Sequence, residues 1–314
     1  MRRILAALLM MAAAIGTALA PEPALAAEPA PVLVLSAYAP EVAAIRARIA
    51  EPRDSRLGGL PVLEGRLGGK AVVVVTTGIS MVNAAMNAQR AIDRYAPRLV
   101  VFSGIAGGVD PALGIGDVVV AAQWAQYLEA SFARERAGGA GGAGGYSSPG
   151  GYSPPPLFPN DLPNFGMIFP HPVGVVLPDG TAETRLWFPV DAEALAVMRR
   201  AAEGLTLERC TAASACLDRT PRLVIGGNGV SGQAFVDNAA FRAWTQTTFQ
   251  ASVLDMESAA VAHVARANGV GFIAIRSLSD LAGGGPGENE IMTFLGLAAA
   301  NSSRVLEAFL AALP

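Results

Sequence analysis

Histidine is almost missing from this chain: His171 and His263 are the two in 314 residues. Cysteine is as scarce, with Cys210 and Cys216 six positions apart and neither histidine adjacent to them, so metal binding is a poor reading. Charged residues make up 16% and the net charge is −3, with scattered signs and no Lys/Arg block. The electrostatic footprint of a nucleic-acid binder is therefore lacking. No apolar run of membrane-spanning length follows the N-terminal stretch, and no internal repeat is visible.

What is present points to a folded, exported protein. Hydrophobic residues reach 52%, enough for a sizeable core. Arg2 and Arg3 precede an apolar stretch from Ile4 to about Ala20 and a small-x-small pattern at Ala24-Leu25-Ala26. Together these describe a signal peptide over residues 1–26, with a mature protein from near Ala27 that keeps no membrane anchor and resides in a bacterial periplasm. In such an oxidising compartment Cys210 and Cys216 are expected to form a local disulfide.

The mature chain alternates short apolar runs with helical spacing. "PVLVLSAYAP", "KAVVVVTTG", "RLVVFSGIAGG", "GDVVVAAQWA", "RLVIGGNGVSGQAF" and "GFIAIRSLSD" read as strands, two of them stopped by glycine turns. "EVAAIRARIA", "SMVNAAMNAQRAIDRYA" with Ser80 as N-cap, a segment from near Asp191, "DNAAFRAWTQTTF" and Glu290 to Leu313 read as helices. The pattern predicts one α/β domain over 27–314 with a central, largely parallel sheet flanked by helices. Gly138 to Pro163 is too rich in Gly and Pro to build a core and reads as part of an insertion at about 134–222.

"VLDMESAAVAHVARA", Val253 to Ala267, reads as a helix with two acids at its front. Asp255 and Glu257 are explained either by capping and the helix dipole or by a substrate. Ligands of parallel sheets gather beyond the strands' carboxyl ends, where Glu41, the segment Ser103 to Asp117, the segment Gly229 to Asn238, and Arg276 to Gly283 with Asp280 also fall. Three carboxylates, Glu41, Glu257 and Asp280, converging on one pocket suit acid/base chemistry on a small molecule. Each also has a plain structural reading. Glu41 begins a helix, Asp280 caps a turn, Arg276 pairs with a nearby acid, Asp110 and Asp117 sit in turns, and His263 packs on an apolar helix face.

Five segments in order, "TGIS-x-VNAA", "SGIAGGVDPALGIGDVVVA", "SGQAFVDN", "LDMESAAVAHVA" and "RSLSDLAG", resemble the purine nucleoside phosphorylase superfamily, in particular its methylthioadenosine/S-adenosylhomocysteine nucleosidase branch. The resemblance spans the mature chain apart from the insertion, and the "FVDNAAFR" to "SDLAGG" portion is also similar to plant storage-protein relatives. It implies that Asp280 protonates or hydrogen-bonds purine N7, that Glu257 grips the ribose hydroxyls with Met256 against the sugar, and that Glu41 activates water. Phe235 would stack on the base and the Val236 backbone read its edge, while Ser279 and Arg276 support Asp280. Ile105 stands where these nucleosidases often carry a small hydroxyl residue, and it and Ala282 complete the implied substrate-binding set. The implied reaction is hydrolysis of a purine nucleoside without metal or organic cofactor, in a homo-oligomer whose neighbour closes the 5′ end of the pocket. A phosphorylase and a non-catalytic nucleoside-binding protein are the alternatives. The Gly-Asp-Pro-x-Arg segment typical of phosphorylases is absent from "SAYAPEVAAIRAR".

Overall fold

Val32–Ser36 (β1) is buried at every position, as expected of an interior strand in a sheet covered on both faces. The computed structural model describes residues 30–135, 151–153 and 162–314. After β1 come α1 (Ala39–Arg46), β2 (Ala50–Leu57), β3 (Leu60–Leu67), β4 (Lys70–Thr76), α2 (Met81–Tyr95), β5 (Leu99–Gly108), β6 (Val118–Val120) and β7 (Gln123–Gln126). The second half holds β8 (Trp187–Pro189), α3 (Ala192–Ala201), β9 (Leu223–Ile225), β10 (Asn228–Ser231), α4 (Ala239–Phe249), β11 (Ala251–Asp255), α5 (Ser258–Ala267), β12 (Gly271–Asp280) and α6 (Ile291–Ala312).

These strands form one mixed sheet in the order β8-β7-β10-β11-β5-β1-β4-β3-β2, with β12 pairing β5 and β6, and β9 pairing β6. Its centre is parallel: β1 with β4 and β5, and β5 with β12. Helix α6 packs on β12 and β5 and against α1 and α3, while α2 packs against α5. The fold is the expected single α/β domain.

Two features place the functional residues. β11 runs antiparallel to β5, with Val253 opposite Gly108 and Leu254 opposite Gly107. Its carboxyl end therefore returns toward Ala106 and Ile105, bringing Asp255 to Glu257 back to the end of β1. In β12 the register to β5 slips between Leu278 and Asp280. This bulge re-aims the strand end, so that the consecutive residues Ser279 and Asp280 both reach one cavity instead of alternating across the sheet.

The sequence reading differs from the structure in definite places. Val253 to Asp255 is the end of a strand, and the helix starts only at Ser258. A three-residue apolar lead-in carries no period of its own, so it merges with the helix that follows. The hairpin β2–β3 was not expected, because "AEPRDSRL" is mostly exposed and lacks a strand-like apolar alternation. Gly104, Gly107 and Gly108 belong to β5 and make no turn. Ser80 does occupy the N-cap of α2, but at φ 82° and with no capping bond from its side chain.

Within the span read as an insertion, β8 pairs with β7 in the main sheet and α3 packs on α6. Those segments are part of the framework, and Asp191 caps α3 by accepting from the Ala194 N–H at 2.8 Å. Cys210 and Cys216 are bonded. Just beyond them Arg219 pairs with the fully buried Asp117, which also accepts from the Arg222 N–H at 2.8 Å. The expected signal peptide (1–26) and residues 136–150 and 154–161 of the Gly/Pro-rich stretch lie outside the described residues. Among the described residues no helix is long and apolar enough to cross a membrane.

Candidate active site

One cavity of about 270 Å³ opens where β1, β5, β11 and β12 end. Glu41, Ile105, Phe235, Val236, Met256, Glu257, Ser279 and Asp280, all anticipated from the sequence, line it. Glu41, Glu257 and Asp280 are nonetheless almost wholly buried, as is Asp255, which also lines the cavity, so four acidic residues border a small apolar volume. No Lys, Arg or His among the described residues lines it.

Glu41 holds the third position of α1 and both caps the helix and lines the cavity. Its Oε2 accepts from the main-chain N–H groups of Ala37 at 2.7 Å and Tyr38 at 3.3 Å, which is the capping role. Its Oε1 accepts from the Ile105 N–H at 2.8 Å. Burial raises the Glu41 pKa, opposed by Arg276 and these amides. The approach is so close that a Cβ on Gly104 would collide with the Glu41 carboxylate and the Arg276 guanidinium, which explains a glycine inside a buried strand.

Glu257 sits at the N-cap of α5 without capping it. Its Oε1 accepts from the Ser80 N–H at 2.8 Å, tying the start of α2 to the site, and its Oε2 accepts from Arg276 Nη2 at 3.1 Å. Burial pushes its pKa up to about 7, partly offset by Arg276 and reinforced by Asp255. Asp255 takes the cap instead: its Oδ1 accepts from the Glu257 and Ser258 N–H groups, each at 3.1 Å, and from Ser231. Both acids before α5 thus line the cavity, and Asp255 in addition caps the turn.

Arg276 departs from its expected place. It is fully buried beneath the cavity, bonded to Asp255 at 2.7 Å and Glu257 at 3.1 Å, 4.0 Å from Glu41, and stacked over the Phe102 ring. It supports the carboxylates at the Glu41 end, not Asp280, because in the β12 register it lies opposite Gly104, beside Glu41. Burial raises the Glu257 pKa first, and the neighbouring acids Asp255 and Glu41 add to it against the one cation, Arg276. Ala282 likewise does not face the cavity. It is buried, and its N–H donates to Asp280 Oδ1 at 2.8 Å.

Asp280 Oδ2 accepts from Ser279 Oγ at 2.9 Å, as the sequence reading had it. Burial raises the Asp280 pKa, the direction a proton donor needs. Phe235 is 55% exposed at the mouth, a flat ring free to cover a bound base. Tyr38, Ile79, Ile291 and Leu295 also line the cavity and were not singled out in the sequence. Of these, Tyr38 was within reach, since it stands in the quoted "SAYAPE" between a strand and a helix. His263 packs as expected, stacked on Phe188 with ring centroids 4.9 Å apart and with its pKa lowered by burial.

The family model described as "Phosphorylase superfamily" matches residues 31–311. The chain belongs to the phosphorylase superfamily. Among relatives within this superfamily, the 5′-methylthioadenosine/S-adenosylhomocysteine nucleosidase of Mycobacterium tuberculosis is 28% identical over 273 residues, 87% of this chain and 94% of that protein. The crystal structure of the nucleosidase of that name from Neisseria meningitidis, in complex with methylthio-immucillin-A, superposes with a TM-score of 0.64 at 23% identity, covering 90% of this chain and 100% of that one. Futalosine hydrolase of Helicobacter pylori shares the superfamily fold at a TM-score of 0.62 and 21% identity, covering 90% of this chain and 97% of that one.

Proposed function

We propose that this chain is a hydrolase that cleaves the N-glycosidic bond of purine nucleosides, of the 5′-methylthioadenosine/S-adenosylhomocysteine type, and releases free base. The observation that carries the reading is the cavity itself: four buried acidic residues, Glu41, Asp255, Glu257 and Asp280, and no cationic side chain among its described lining residues. Phosphorolysis needs groups that hold a phosphate dianion, and the nearby guanidinium of Arg276 is already committed to Asp255 and Glu257. Asp280 supplies the proton or hydrogen bond at purine N7, the C1′–N9 bond opens, and Glu41 takes a proton from the attacking water. Glu257 accepts hydrogen bonds from the ribose, having lone pairs beyond those used by Ser80 and Arg276. A panel of nucleosides with and without phosphate tests the reading: free base and free sugar support it, and binding without release refutes it.

Glu257→Gln is expected to reduce turnover of ribonucleosides more than that of their 2′-deoxy analogues, because an amide is a weaker acceptor for the 2′-hydroxyl. Equal losses on both would remove that contact. The same variant separates function from stability. A carboxyl raised from 4.5 to about 7 binds its proton more tightly when folded, so its contribution is lost as pH rises through that window. The thermal midpoint of Glu257→Gln relative to the native protein should accordingly be higher at pH 8 than at pH 4.5, and the opposite trend would contradict the raised value.

Export and assembly belong to the same proposal. The bonded Cys210–Cys216 pair supports an oxidising compartment. Protein recovered from the periplasm should begin near Ala27 and gain two hydrogens on reduction; a retained N-terminus would refute export. Ile79, Val82 and Met86 expose apolar side chains beside or near the pocket's Ile79 edge, a surface suited to cover by a second copy. A single-chain mass in solution would exclude the homo-oligomer.

A further inference from the structure

One donor in the cavity is left unused by the roles above. Tyr38 lines the cavity at the N-cap of α1, and its main-chain N–H is bonded to Glu41 Oε2. Its hydroxyl has no hydrogen-bond partner among the described residues. Burial, and then the charges of Glu41 and Glu257, raise the phenol pKa, so the group remains a neutral O–H donor.

The other polar groups near Glu41 are spent. The Ile105 N–H is on Glu41 and its C=O accepts from Arg276 Nη1 at 3.2 Å, which leaves an aliphatic side chain for the cavity. Ser279 Oγ is bonded to Asp280, and the Ala37 N–H to Glu41. A water attacking an anomeric carbon gives one proton to its base and aims one lone pair at carbon. Its direction is fixed when the second lone pair accepts a hydrogen bond, and the tyrosine supplies the unclaimed donor at this end of the pocket.

We propose that Tyr38 is a further catalytic residue, its hydroxyl donating a hydrogen bond to the water that Glu41 deprotonates. The inference rests on the hydrolytic reading. In the step, the C1′–N9 bond breaks with its electron pair leaving on the base, which takes up the proton at N7 from Asp280. The water oxygen bonds to C1′ and its proton passes to Glu41. Tyr38 keeps its own proton throughout.

The test compares the native protein with Tyr38→Phe, using 5′-methylthioadenosine as probe, in water and in water–methanol mixtures. The variant keeps the ring and removes the hydroxyl. Turnover, kcat, should fall by ~10–100-fold while KM stays within about threefold, since the contact acts on the nucleophile and not on nucleoside binding. The share of methyl glycoside among the products should rise, because a nucleophile held by Glu41 alone is less well discriminated. That product ratio does not depend on how much of the variant is folded, so it reads out even if stability drops. A kcat near the native value, or a lower kcat matched by a raised KM with an unchanged product ratio, overturns the role of Tyr38. A native protein that releases no base, or yields sugar 1-phosphate, overturns the hydrolytic reading itself.

Discussion

Asp280→Asn is expected to lower purine nucleoside turnover by ~10²–10⁴-fold, the usual cost of losing a positioned general acid, while the fold persists. The substitution keeps size and shape. The acceptor that meets the Ala282 N–H survives in the amide oxygen, so the end of β12 has little reason to move. What is lost is the carboxyl proton. Burial raises the Asp280 pKa, so the acid form extends to higher pH than an ordinary aspartate allows. The native rate should fall as pH rises through that raised value, and this limb should vanish in the variant. Residual activity within a few-fold of native, at an unchanged thermal midpoint, would take the acid role from Asp280.

The core strands β1, β4 and β5 were legible because buried parallel strands read as continuous apolar runs. Glu41 and Asp280 were legible as acids at the carboxyl ends of apolar strand runs, and Glu257 as an acid at the front of an apolar helix. The pairing of these groups was not. Arg276 was expected beside Asp280, four residues on in the same strand, yet the β5 register sets it across from Gly104 and so beside Glu41. Alternation along a strand also hides the bulge at Ser279, which decides that neighbouring residues share a cavity. The glycines of β5 suggested a turn because their reasons are contacts from distant segments: the Glu41 carboxylate at Gly104, and residues 278–282 at Gly107 and Gly108. Asp255 and Glu257 show the same limit. Both are acids before a helix, and only the antiparallel return of β11 brings them to the pocket.

Glu41→Gln bears on the reaction class, and its expected effect equals that of Asp280→Asn, a loss of ~10²–10⁴-fold in hydrolysis with nucleoside binding largely kept. The amide oxygen can still accept from Ala37, Tyr38 or Ile105, so α1 should stay capped. It cannot take a proton from water. Because burial raises the Glu41 pKa, its anion is a stronger base than an exposed glutamate, and native hydrolysis should decline as pH falls through that raised value. The native products in phosphate buffer should be free base and free sugar, with a rate indifferent to phosphate. Two anions at short range repel in a site of low polarity, and no cation among the described cavity-lining residues is present to offset them. Saturable phosphate dependence with sugar 1-phosphate as product would make the protein a phosphorylase. Unchanged hydrolysis in Glu41→Gln would keep the reaction but move its base to another group, Glu257 being one cavity carboxylate that also pairs with Arg276.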